Sequence, residues 1–219
     1  MKKVLLSLTI MVLFFGLNAL AQDDDYDRDI VEINFFGGMG IPVGEVTDWN
    51  DSLGMKNGFE IGIEVGYFVT DKFTAGFNFM FSQYSIDAAE NDLAAANLKH
   101  RLYNPSLFLK YYLLAESNWA PYIKVHAGLD NPKFTTFVIN PAENRYRQIS
   151  YDPAFAFGIG AGLFYYTSDY SGLFIEGNYH FAASSDIEAS YLGNKYLFRN
   201  NLTIIDIHAG IRILIGSGD

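Results

Sequence analysis

The chain has 219 residues, no cysteine and a formal net charge of −10, with 50% hydrophobic and 16% aromatic residues. The acidic balance argues against nucleic-acid binding, which wants basic surfaces, and the lack of cysteine excludes disulfide staples and thiolate metal sites. Beyond the first two dozen positions no run of 18 apolar residues occurs, so a membrane crossing made by the rest of the chain is not helical.

The opening "MKKVLLSLTIMVLFFGLNALAQ" sets two lysines before an apolar run and ends it on Ala19-Leu20-Ala21. That is the layout of a secretory signal peptide over residues 1–21, with cleavage before Gln22. Losing Lys2 and Lys3 takes the charge from −10 to −12. No cysteine stands at the cut, so no lipid anchor is expected. An acidic, solvated leader, "QDDDYDRD" at 22–29, precedes one domain over 30–216.

In that domain the hydrophobic period is 2, the mark of strands with two unlike faces, and eight such segments follow in order. The first spans Val31 to Val43. The second sets Phe59, Ile61, Ile63, Val65 and Tyr67 against Glu60, Gly62, Glu64, Gly66 and Phe68. The third carries Phe73, Ala75, Phe77, Phe79 and Phe81 on one face. The fourth sets Leu107, Leu109, Tyr111 and Leu113 against Ser106, Phe108, Lys110 and Tyr112. In the fifth, Ile123, Val125, Ala127 and Leu129 oppose Tyr122, Lys124, His126 and Gly128. The sixth, Phe155 to Tyr165, alternates apolar residues with Gly158, Gly160, Gly162 and Phe164. The seventh sets Leu173, Ile175, Tyr179 and Phe181 against Phe174, Glu176, Asn178 and His180. The eighth runs from Ile205 to Ile215, with Asp206, His208, Gly210 and Arg212 on its second face.

Short links ("TDK", "AESNWA", "SDYSG") alternate with long ones, including the alanine-rich "AAENDLAAANLKH", whose composition suits a helical turn. This describes an all-β fold: an eight-stranded antiparallel up-and-down barrel with two unlike rims. The second face, largely Gly, Phe, Tyr, Asn and a few charges, is a poor water-facing surface. The other is continuous and bulky in every strand. Apolar outside and mixed inside is how a transmembrane β-barrel is built, because lipid offers no hydrogen bonds and only a closed sheet leaves no edge. So small a barrel is filled by side chains. The glycine run of "FAFGIGAGLFYY" then makes room for large inward residues such as Phe68, Phe108, Tyr112, Tyr122, Phe164 and Phe174. Its spacing does not match the G-x-G-x-x-G of a phosphate-binding turn. Aromatics near the short links suit the headgroup level of one interface.

Together the signal peptide, the alternating strands, the unlike rims and the last strand "TIIDIHAGIRILIG" resemble the small eight-stranded outer-membrane β-barrel family, the OmpA-like group of Gram-negative bacteria. The resemblance implies a monomer in the outer membrane, with short turns in the periplasm and long loops outside. It also implies contact with outer-membrane lipid and lipopolysaccharide, and insertion by the barrel-assembly machinery. The chain departs from the pattern in ending "ILIGSGD", without the terminal aromatic that many members present to that machinery. No peptidoglycan-binding domain is expected after the barrel, so wall anchoring is not carried over from the longer members.

Eleven ionisable residues fall on the inward face: Glu32, Glu60, Glu64, Lys110, Lys124, His126, Glu176, His180, Asp206, His208 and Arg212. Glu32, Glu64, Lys110, Lys124, Glu176 and Arg212 belong to the periplasmic half, the others nearer the middle. Buried charges must be paired, so these residues are expected to form a salt-bridged plug, with Arg212 on Glu32 and Glu176 reaching Arg212 from the other side. A zinc or acid–base site from His126, His180, His208 and Asp206 is the sharper alternative. A lipid-A-modifying enzyme would need His100 at the rim, with Ser82 and Ser85 across from it. A narrow channel for ions or small solutes is the third. No cofactor is expected. The long loops carry Trp49, Arg145, Tyr146, Arg147, Tyr191, Tyr196, Phe198 and Arg199, residue types favoured in binding hot spots. The leading expectation is a non-enzymatic, lumen-filled surface-interaction barrel.

Overall fold

The computed structural model describes residues 30–47, 54–86, 99–113, 118–138, 146–150, 153–183, 187–191, 194–198 and 201–216. The signal and leader segments and the alanine-rich link lie outside these residues. The strands are β1 (Val31–Pro42), β2 (Met55–Thr70), β3 (Phe73–Ile86), β4 (Lys99–Tyr112), β5 (Trp119–Val138), β6 (Tyr146–Ser150), β7 (Ala154–Ser168), β8 (Ser171–Ala183), β9 (Ile187–Tyr191), β10 (Asn194–Phe198) and β11 (Leu202–Ile215). Eight of them, β1–β5, β7, β8 and β11, pair in sequence, and the β1–β11 and β4–β5 ladders close the ring. All barrel pairings are antiparallel.

Two long links hold strands that the alternation does not announce. β5 runs on past the barrel ladder to pair with β6, and β9 and β10 form a separate two-stranded hairpin. The eight expected strands are thus all present, several of them longer at the long-loop end.

Side-chain orientation follows the period of 2 strictly. On β2, Ile61 is 54% exposed while Glu60 beside it is 1% exposed; on β4, Leu107 is 59% exposed and Phe108 1%. Within the band from Phe59, Phe81, Tyr103, Leu129, Phe155, Phe181 and Ile205 down to the short turns, no described outward residue of the barrel strands carries a charge. Tyr67, Tyr111, Trp119, Tyr165 and Tyr170 ring the short-turn end, where Trp119 and Tyr165 sit 4.5 Å apart. At the opposite margin Phe81 lies 6.0 Å from Phe59 and 5.2 Å from Tyr103. The hydrophobic surface is therefore outside and the packed core inside, the reverse of a water-soluble barrel.

The glycine run on β7 shows why the centre closes. A Cβ at Gly158 would stand 2.3 Å from the His126 ring, one at Gly160 2.0 Å from the Asn178 amide, and one at Gly162 2.3 Å from Tyr122. The run yields room as expected, although two of the three neighbours it accommodates are polar.

Candidate functional site

The lumen is the site that the fold constructs. Near the short turns it is packed by Phe68, Tyr112, Tyr122, Phe164 and Phe174, with Ile30, Tyr166 and Leu214 against them. At the long-loop end Leu102, Ala154, Ala156, Ala182, Leu202 and Ile204 turn inward and are buried. Val46, on the 3-10 turn Gly44–Thr47, is fully buried as well. Between these two apolar mouths lie the polar groups, in two tiers.

The inner tier, toward the short turns, holds three carboxylates and three permanent cations. Lys110 Nζ donates to Glu32 at 3.0 Å and to Glu64 at 2.6 Å. Lys124 bridges Glu64 and Glu176, the latter at 2.6 Å. Arg212 Nε donates to Asn34 Oδ1 at 2.9 Å and lies 3.4 Å from Glu32. Tyr112 donates to Glu32 at 3.0 Å and Tyr122 to Glu176 at 2.9 Å. The Arg212 Nη2 atom has no described hydrogen-bond partner, but the guanidinium carbon sits 4.1 Å from the centre of the Phe164 ring, whose face attracts a cation. The expected Arg212–Glu32 pair is present. Glu176 does not reach Arg212; Lys124, closer on the neighbouring face, takes it instead.

Among the described residues the outer tier has no permanent cation. Glu60 accepts from Ser82 at 3.0 Å, from Tyr84, and from His208 Nε2 at 2.7 Å. Asp130 accepts from Asn104 at 2.6 Å and pairs with His180 Nε2 at 2.9 Å. The other nitrogen of His180 shares a hydrogen bond with His126 Nε2 at 3.1 Å, the two rings stacked at 20°. Asp206 is buried as well, and so is His100, nearer the long-loop end. All four histidines of the chain thus turn into the lumen and are buried there.

Two of these groups escape sequence reasoning. Asp130 stands just before Asn131-Pro132, and the inward place of His100 lies beyond Asn104-Pro105, pairs that read as strand ends. Their parity carries the missing signal: Asp130 is in step with Lys124 and His126, and His100 with Ser106 and Lys110. His100 is not a rim residue, because β4 begins at Lys99 and turns it inward, opposite Tyr84 in the ladder. Ser82 is spent on Glu60, and Ser85 is exposed on the other face of the sheet. The hydrolytic set is not assembled. The zinc set is not assembled either: His126 and His180 meet, but His208 belongs to Glu60. Among the described residues no group of three or more His, Asp or Glu has metal-holding geometry.

From Tyr112 to Leu202, every inward side chain between the two mouths is at most 9% exposed. A water-filled pore would leave its lining exposed. Trp49, Arg145 and Arg199 lie outside the described residues; Tyr146 and Arg147 fall on β6, Tyr191 on β9, and Tyr196 and Phe198 on β10.

No protein-family model matches the chain, and no curated protein matches it in sequence. Its structure is similar to the crystal structure of Neisserial surface protein A, at a TM-score of 0.56 and 14% identity over 84% of this chain and 96% of that one. It is also similar to the outer membrane protein OprG from Pseudomonas aeruginosa (TM-score 0.52, 13% identity, 86% of this chain and 95% of that one). A third likeness is to the solid-state NMR structure of the outer membrane protein AlkL in DMPC lipid bilayers (TM-score 0.53, 15% identity, 88% and 92%). At these identities the likeness is one of fold: a small, closed, eight-stranded outer-membrane β-barrel.

Proposed function

We propose that the chain is a non-enzymatic outer-membrane protein: a sealed barrel that holds long surface loops in place for contact with a partner. The observation that carries this is the pairing of an uncharged outward band with a lumen whose side chains leave no exposed path. Ten residues at ~3.3 Å rise and roughly 40° tilt span about 25 Å, the height of the outer-membrane apolar band. On this reading residues 1–21 direct export and are removed, and the barrel-assembly machinery inserts the chain as a monomer. On the same reading Trp49, Arg145, Tyr146, Arg147, Tyr191, Tyr196, Phe198 and Arg199 are the candidate contacts for a surface partner.

The test is electrical. The purified barrel in planar bilayers is expected to give no discrete conductance steps at moderate voltage. Regular ohmic steps would overturn the sealed lumen in favour of a narrow solute channel. A boiled and unboiled pair on a denaturing gel provides the companion check, since a closed barrel migrates differently before and after heating.

A further inference from the structure

The six acidic residues of the barrel strands, Glu32, Glu60, Glu64, Asp130, Glu176 and Asp206, are all buried in the lumen. The barrel strands therefore show no carboxylate to the outside. Among the described residues of the barrel strands, the cations that face out stand on β2 and β4 alone. Lys56, near the start of β2, is exposed, as is Lys99 at the start of β4; Arg101, two residues further on, is half-buried. The described outward faces of β1, β7, β8 and β11 have no charge at that height. In a chain of net charge −10 this one-sided basic ledge is not a product of composition.

Its level is informative. Tyr103 precedes Arg101 by one outward step toward the apolar band, and packs 5.2 Å from Phe81. Two residues of strand rise put Arg101 roughly 7 Å beyond that ring pair. An acyl chain lying on Phe79, Phe81 and Leu107 thus brings its headgroup to Arg101 and Lys99. Arg101 is also held in place: its Nε donates to Gln83 Oε1 at 3.0 Å, on the adjacent strand. That bond uses the inner nitrogen of the guanidinium and leaves the two terminal amino groups, the pair suited to bidentate phosphate recognition, for other acceptors.

We infer that the outer ends of β3 and β4 form a lipid site, in which Arg101 and Lys99 bind the phosphate of an outer-leaflet glycolipid whose acyl chains lie on Phe81 and Tyr103. The site rests on the membrane reading above and adds a ligand class and a side of the barrel to it. Its occupant is a phosphorylated lipid A headgroup rather than free phosphate, because charge and apolar surface adjoin here.

Native mass spectrometry of the detergent-solubilised barrel tests the site, with bisphosphorylated lipid A, its dephosphorylated form and inorganic phosphate as probes. The wild-type protein is expected to retain bisphosphorylated lipid A. The Lys99→Ala/Arg101→Ala variant should retain it at least roughly tenfold more weakly, the factor corresponding to one lost charge-assisted hydrogen bond. Lys72→Ala, in the turn between β2 and β3, should bind like wild type. Equal binding by wild type and the double variant, equal binding of the dephosphorylated lipid, or full competition by inorganic phosphate would each overturn the proposal. Both substitutions sit on the outer surface, so heat-modifiability should persist in the variant. Its absence in the wild-type protein would instead sink the membrane reading, and this site with it.

Discussion

The two tiers of the lumen hold equal numbers of carboxylates but neutralise them by different means. In the inner tier Glu32, Glu64 and Glu176 face Lys110, Lys124 and Arg212, so each charge is matched by a permanent opposite. In the outer tier Glu60 and Asp130 meet imidazoles, amides and hydroxyls, and Asp206 is buried with one carboxyl oxygen that has no described hydrogen-bond partner. The first arrangement is an interlocked lattice, in which Glu32, Glu64, Lys110 and Lys124 each pair with two opposite charges. The second is built from separable hydrogen bonds, and its charge is set proton by proton. The two halves of one tube thus differ in how much a single deletion should matter.

The largest effect is expected from Glu64→Ala. It removes the carboxylate that Lys110 and Lys124 share and leaves two buried cations short of charge. Breaking a buried pair in this way costs about 3–5 kcal/mol, readable from urea unfolding of the barrel in lipid vesicles. A loss below about 1 kcal/mol would mean that the lattice is slack.

A charge moved one residue along the chain, to the other face of the sheet, sharpens the contrast. Ile63→Arg places on the lipid side the kind of cation that the inner tier holds inside. The expected cost is about 2–4 kcal/mol at the bilayer midplane, with the lumen network intact. Little or no loss in the same unfolding assay would place Ile63 away from acyl chains.

The smallest of the three effects belongs to the outer tier. His208→Phe keeps a ring against Phe36, 4.7 Å away, and deletes one of the three hydrogen bonds to Glu60. About 1–3 kcal/mol is expected. If His208→Phe proved as damaging as Glu64→Ala, the distinction between the tiers would fail.

Much of this was readable from the residues themselves. The strict alternation of β2, β7 and β11 assigns each face, and bulk on one face against Gly, Tyr and charge on the other gives the inversion. Inward parity selects all six members of the inner tier. What stayed hidden has definite causes. Pro105 lacks an N–H, so the β4–β5 ladder is interrupted between Tyr103 and Ser106, yet the register is the same on both sides. A sequence rule ends the strand there, whereas closure of the barrel carries it on to Lys99 and brings His100 and Asp130 inside. Partner choice was hidden too, because the stagger of a barrel depends on all its ladders at once. It gives Glu176 to Lys124 and leaves Arg212 to Asn34, Tyr112 and Glu32.

Arg212 sits on the last strand and Asn34 and Glu32 on the first, across the seam where β11 meets β1 over twelve residues of ladder, Val31 to Pro42. Until that seam forms, the guanidinium has no carboxylate to meet and the two terminal strands offer bare edges. A half-made sheet would therefore carry an unanswered cation into oil. Closing the seam thus answers the cation as it joins the ends, and the arginine is a latch between the first strand and the last.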